Sequence, residues 1–166
     1  MVLRKLELRD GVNIYVVTQQ SWSVLPLVHQ PGPALEHPIS HIRFSYTGGP
    51  LCHFSSQCVR ATQDIQRVHR MSGHADITYN FLIGGDGFVY QGRGWYHQCD
   101  LPADLSTLSL TCLDIAYIGD FSGDEPTYLM ISTALELIRY GIKQGFIKPG
   151  FRIIPFQENS RIENLI

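Results

Sequence analysis

Seven histidines and four cysteines carry most of the chemistry this chain could do. Two imidazoles grip a metal from one helix face when they stand four residues apart. His69 and His74 are five apart across an expected helix end, so that arrangement fails. His97 and Cys99 form a candidate pair, but nothing nearby supplies a third ligand. His29, His37, His41 and His53 stand singly and read as surface or capping groups. There is no nucleophile elbow around a serine and no Walker-type loop. Gly84-Gly85-Asp86-Gly87 is glycine-rich, yet no helix start follows it, so it reads as a hairpin turn and not a phosphate cradle. Cys52 and Cys58 are close enough to close a small ring, which a bridge would stabilise by roughly 2–3 kcal/mol. Cys99 and Cys112 could form a second bridge; free, partly buried thiols are the alternative for both pairs. A bridge would place the chain in an oxidising compartment.

The elements that must position these residues follow from periodicity. At 166 residues, 44% hydrophobic and 17% charged, the chain suits one folded domain. A net charge of −2 provides no basic field for nucleic acid. No apolar run reaches membrane-span length and the N-terminus has no signal-peptide pattern, so any membrane attachment is expected through segments outside these residues. Residues 12–17 and 39–46 read as strands, separated by a proline-rich segment pinned by Trp22. Residues 55–71 read as a helix whose stripe Cys58, Ala61, Ile65 and Val68 should be buried. Residues 78–83 and 88–91 form a hairpin, 100–109 a polar loop and 110–118 a central strand. Asp124-Glu125-Pro126 should open a second helix, carried by Tyr128, Ile131, Leu135, Ile138 and Ile142 and stopped after Lys143 at Gly145. The expected fold class is α/β, a single domain over 1–166 with a central mixed sheet packed by helices.

Between Asp76 and Trp95 the chain reads DITYNFLIGGDGFVYQGRGW. This word order resembles the central hairpin of peptidoglycan recognition proteins, a family similar to zinc-dependent phage amidases. The resemblance runs from about Leu8 to the end. It makes residues 1–38 the family-specific N-terminal segment, with Gln20-Ser21-Trp22 opening the domain proper, and 39–166 the amidase-like core. It implies a disulfide between Cys52 and Cys58. Active members hold zinc with two imidazoles and a thiolate. On the family pattern Ser45 stands at the first histidine, Phe156 at the second, and no cysteine follows Cys112. The expectation is therefore no metal, no cofactor and no hydrolysis, with Tyr79 a remnant of the tyrosine that assists the water in active relatives.

What remains is recognition. The resemblance gives Tyr46, Arg70, His74, Arg93 and Trp95 as ligand-binding candidates, His74 replacing a tryptophan of relatives that read diaminopimelate-type peptides. The loop after Trp95 departs most from the family. It should fill the groove, and Asp100 and Asp104 should repel stem-peptide carboxylates. The expected role is an extracellular, non-catalytic innate-immune co-receptor, the ectodomain of an insect membrane-bound receptor. It would pair with another peptidoglycan recognition ectodomain that presents a muropeptide, with Glu136, Arg139 and Tyr140 as partner-surface candidates. A direct muropeptide receptor is the alternative, and a zinc N-acetylmuramoyl-L-alanine amidase a remote one.

Overall fold

Seven strands form one mixed sheet in the computed structural model, which describes residues 3–7 and 13–154. In chain order the elements are β1 (Leu3–Glu7), β2 (Asn13–Val17), α1 (Gln19–Trp22), β3 (Ile39–Tyr46), α2 (Ser55–Met71), β4 (Phe81–Ile83), β5 (Val89–Gln91), a 3-10 helix (Ala103–Thr111), β6 (Cys112–Tyr117), α3 (Tyr128–Lys143) and β7 (Ile147–Ile154). The spatial order is β1-β2-β5-β4-β6-β3-β7. The pairs β2–β5, β4–β6, β6–β3 and β3–β7 are parallel, while β1–β2 and β5–β4 are antiparallel. This is the expected α/β architecture.

Alternation along the strands feeds two apolar layers. Phe81 and Ile83 of β4 and Leu113, Ile115 and Tyr117 of β6 meet Met130, Ala134, Leu137 and Ile138 of α3. Leu82 and Ala116 point the other way, to Cys58 of α2, Trp22 and Ile77. β6 lies between two parallel neighbours, so all six of its residues are buried and it reads as a continuous run. The β4–β5 turn keeps Gly87 at φ +79°. A side chain at Gly85 would meet the Cys52 carbonyl oxygen at 2.0 Å, which explains the glycine there.

Several expectations need correction. α3 begins at Tyr128, capped by the Thr127 hydroxyl, which accepts from the Met130 N–H at 3.3 Å; the acids before it lie outside the helix. The polar loop contains the 3-10 helix, and β1 and β7 close the two sheet edges unannounced by pattern. The α2 face turned inward is Cys58, Thr62 and Gln66, while Val68 is 59% exposed. Cys52 and Cys58 are bridged, but Cys99 and Cys112 are free, buried thiols. Cys99 Sγ instead donates weakly to the Cys112 carbonyl at 3.7 Å. Its hydrogen bond with the Cys112 side chain, then burial, push its pKa far up and keep it protonated and inert. Among the described residues no helix is long and apolar enough to cross a membrane.

Candidate functional site

A groove of about 290 Å³ runs between α2 and the turn that leaves β3. Thr47, Gly48, Gly49 and Pro50 form one wall; Ala61, Asp64, Ile65, Val68 and His69 form the other, over Ile118. Of the apolar stripe read from the sequence of α2, Ala61, Ile65 and Val68 thus face this groove, while Cys58 turns inward. Gly48 and Gly49 both hold positive φ, which turns the chain sharply out of the sheet. His69 adds a polar group to the wall. Its Nδ1 accepts the Thr78 N–H at 3.1 Å, so the proton sits on Nε2. Burial, with His74 and Arg93 nearby, lowers its pKa below the ordinary histidine value, against pulls from Asp100 and Asp76.

Behind the groove the sheet floor is polar. Ser45 Oγ donates to Asp114 Oδ1, and Arg43 Nη1 donates to Asp114 Oδ2 at 2.8 Å. Asp114 is wholly buried, which raises its pKa, while Arg43 and the Ser45 hydrogen bond pull the other way. The Tyr79 phenol is pushed up to about 12 by burial, then by the Asp114 charge, and its ring lies 5.4 Å from that of His69. Among the described residues no three His, Cys, Asp or Glu side chains converge as a metal site. Phe156 lies outside the described residues. Arg43, Asp114, Asp64 and His69 were not singled out as site residues from sequence. Only the tertiary pairing of β3 with β6, Arg43 opposite Asp114, could reveal the first two.

The proposed ligand residues are scattered. Arg93 is 4% exposed; it donates to the Ile77 and Gln98 carbonyls and forks onto Asp100 at 2.8 and 2.7 Å. His74 Nδ1 meets the same Asp100 carboxylate at 2.7 Å. Arg93 therefore balances the charge of that carboxylate within the fold, while the Asp100 side chain stays 35% exposed. Trp95 packs on Phe81 and Phe146 at 4.7 and 4.9 Å. Arg70 ties the Pro26 carbonyl to buried Asp76, which also accepts from Gln19 and Gln66. Tyr46 ends β3, packed against the α3-side core. On α3, Arg139 is exposed and pairs with Glu136 at 3.1 Å, whereas Tyr140 packs toward Trp95.

The groove lining comes from residues 47–50, 61–69 and Ile118 and includes none of residues 96–111. The loop pairs instead with the N-terminal segment. The Leu35 N–H donates to the Tyr96 carbonyl, Gln98 to Pro33 and Glu36 to Leu110, at 2.8–2.9 Å. Backbone hydrogen bonds and the Arg93–Asp100 fork fix the loop, and Asp100 brings it against His74, just beyond the end of α2.

The family model of N-acetylmuramoyl-L-alanine amidase matches residues 35–159. Peptidoglycan-recognition protein SC1a of Drosophila melanogaster is 32% identical over 152 residues, 91% of this chain and 80% of that protein. The ectodomain of the Drosophila transmembrane receptor PGRP-LCa superposes with a TM-score of 0.75 at 33% identity, over 83% of this chain and 82% of that one. A chain from the complex of tracheal cytotoxin with the LCa and LCx ectodomains gives 0.76 at 25% identity, over 83% and 81%. The chain belongs to the N-acetylmuramoyl-L-alanine amidase family, among its peptidoglycan recognition proteins.

Proposed function

We propose that this domain recognises peptidoglycan without hydrolysing it. It acts as a co-receptor that pairs with a second recognition ectodomain presenting a diaminopimelate-type muropeptide, in the manner of an a-type LC ectodomain. The observation that carries the non-catalytic half is the Arg43–Asp114–Ser45 network. Zinc takes imidazole, thiolate or a free carboxylate. Here a hydroxyl and a carboxylate are bonded to each other, and a guanidinium already neutralises the carboxylate. That set does not fit the metal. Phe156, at the position the family pattern gives the second histidine, would add no donor. The test is zinc content after dialysis together with release of peptide from cell-wall fragments. Stoichiometric retained zinc with amide cleavage would overturn this half.

Pairing is supported by two things. A groove of about 290 Å³ sits at the small end of the roughly 300–1,000 Å³ typical of small-molecule sites. It suits a few stem-peptide residues rather than a whole disaccharide-peptide, so a ligand already held elsewhere engages it more readily. The second support is the likeness to the cytotoxin-bound LCa–LCx complex. The Cys52–Cys58 bridge suits an extracellular domain at the cell surface. His74 stays in the reading as a ligand contact with Arg70 and Arg93 as the frame behind it, while Tyr46 and Trp95 pack on the α3 side of the sheet and support it from there. Of the partner-surface candidates Arg139 is the one that reaches solvent. Sedimentation of this domain mixed with an LCx-type ectodomain, with and without muropeptide, decides it: association should appear only with ligand. The apolar groove wall of Ala61, Ile65 and Val68 and the His69 Nε2–H favour a second reading, direct muropeptide binding. Tight one-to-one titration by this domain alone would put it first.

A further inference from the structure

One guanidinium on the α2-covered face of the sheet is held by one edge only. Arg43 Nη1 donates to Asp114 Oδ2 at 2.8 Å, and among the described residues Asp114 is its only hydrogen-bond partner. Asp114 is itself fixed: Ser45 Oγ donates to its other oxygen, and its N–H donates to Asn80 Oδ1 at 2.9 Å. The carboxylate side chain is 1% exposed, while the Arg43 side chain keeps 23%. β3 sends Arg43 and Ser45 to the side that Ala116 and Leu82 share with α2. Tyr79 feels both charges, and its ring lies tilted against that of His69 of the groove wall at 5.4 Å.

We propose that the outer edge of Arg43 receives a carboxylate of a peptide ligand, with Asp114 and Ser45 acting as positioning residues. This rests on the reading of the groove side as the muropeptide-facing surface. An arginine anchored by a buried carboxylate has already lost its side-chain freedom, so a second carboxylate meets a preorganised donor. The remaining Nε–H and Nη2–H lie in one plane and match two carboxylate oxygens, a geometry that lysine cannot offer. Asp114 also balances the charge, so a generic anion gains little while a planar, well-placed carboxylate gains two hydrogen bonds.

The experiment uses the full chain with labelled arginine side chains. The Arg43 Nε–H resonance is assigned by its loss in Arg43→Lys. The probes are N-acetyl-D-alanyl-D-alanine and its C-terminal amide. The acid should move the Arg43 signal saturably and bind roughly tenfold tighter than the amide, the effect of one charge-assisted pair. In Arg43→Lys and in Arg43→Met/Asp114→Leu, acid-dependent shifts of the Ser45 and Tyr79 amides should vanish while the rest of the spectrum stays folded. Equal response to acid and amide, an unmoved Arg43, or an acid preference surviving in either variant would overturn the proposal. Loss of ligand-dependent pairing with Arg43 still responding to the acid would instead count against the co-receptor reading alone.

Discussion

Asp114 gathers the consequences of burying a charge. Asp114→Ala would leave the Arg43 guanidinium uncompensated and Ser45 without an acceptor, and should cost about 3 kcal/mol, the low end for a broken buried pair because Arg43 keeps some water. Replacing both charges, as Arg43→Met/Asp114→Leu, should cost less than the single change. Urea unfolding of the two variants checks the order. His69 makes a pH-dependent contribution with a definite sign. Its folded pKa lies below the ordinary 6.5 because burial disfavours the cation, so the unfolded chain binds the extra proton. The stability it contributes is present above that value and lost as pH falls below it, as the Thr78 N–H loses its acceptor. Between pH 7.5 and 5 the wild type should lose more stability than His69→Gln; parallel curves would refute this. Ser45 and Tyr79 were visible from sequence because a family word order surrounds them. Asp114 was not, because an aspartate in an apolar strand has no meaning until its partner strand is known.

Helix α2 shows why an apolar stripe does not name its own destination. The spacing of Ala61, Ile65 and Val68 is the same whether the stripe meets a core or walls a groove. The inward face is polar because each polar group is satisfied. Thr62 Oγ1 donates to the Cys58 carbonyl at 2.7 Å, and Gln66 bridges Ser23 and Asp76 at 2.9 Å each. Gln66→Ala should therefore cost about 1.5–3 kcal/mol, since it strips a partner from a buried carboxylate. Val68→Ser should stay within about 0.5 kcal/mol. Thermal or urea denaturation distinguishes this from the sequence expectation, which ranks the two the other way. The helix entrance depends on the Cys52–Cys58 ring. Removing both cysteines should cost about 2 kcal/mol for so short a loop.

At the scale of the whole molecule, the groove exists because residues 47–50, leaving the interior strand β3, and residues 61–69 of α2 are brought together over Ile118. Ile65→Arg should fill it without unfolding the domain, and should weaken ligand-dependent association at least roughly tenfold, as expected for a charge placed in an apolar contact. Sedimentation with muropeptide and partner reads this, and unchanged association would move the recognition surface elsewhere. By itself the sequence determined the elements with strong local signals. These are the Ile39–Tyr46 strand, the Ser55–Met71 helix and the glycine-turned hairpin, all read from patterns within about twenty residues, whereas the Cys52–Cys58 bridge was legible through the family resemblance. Tertiary structure alone decided which face of α2 became a groove wall, that Arg93 and Asp100 pair within the scaffold, and that the loop after Trp95 pairs with residues 33–36. Those outcomes depend on contacts between segments distant in the chain, and neither periodicity nor composition encodes which of several chemically equivalent partners a side chain will meet.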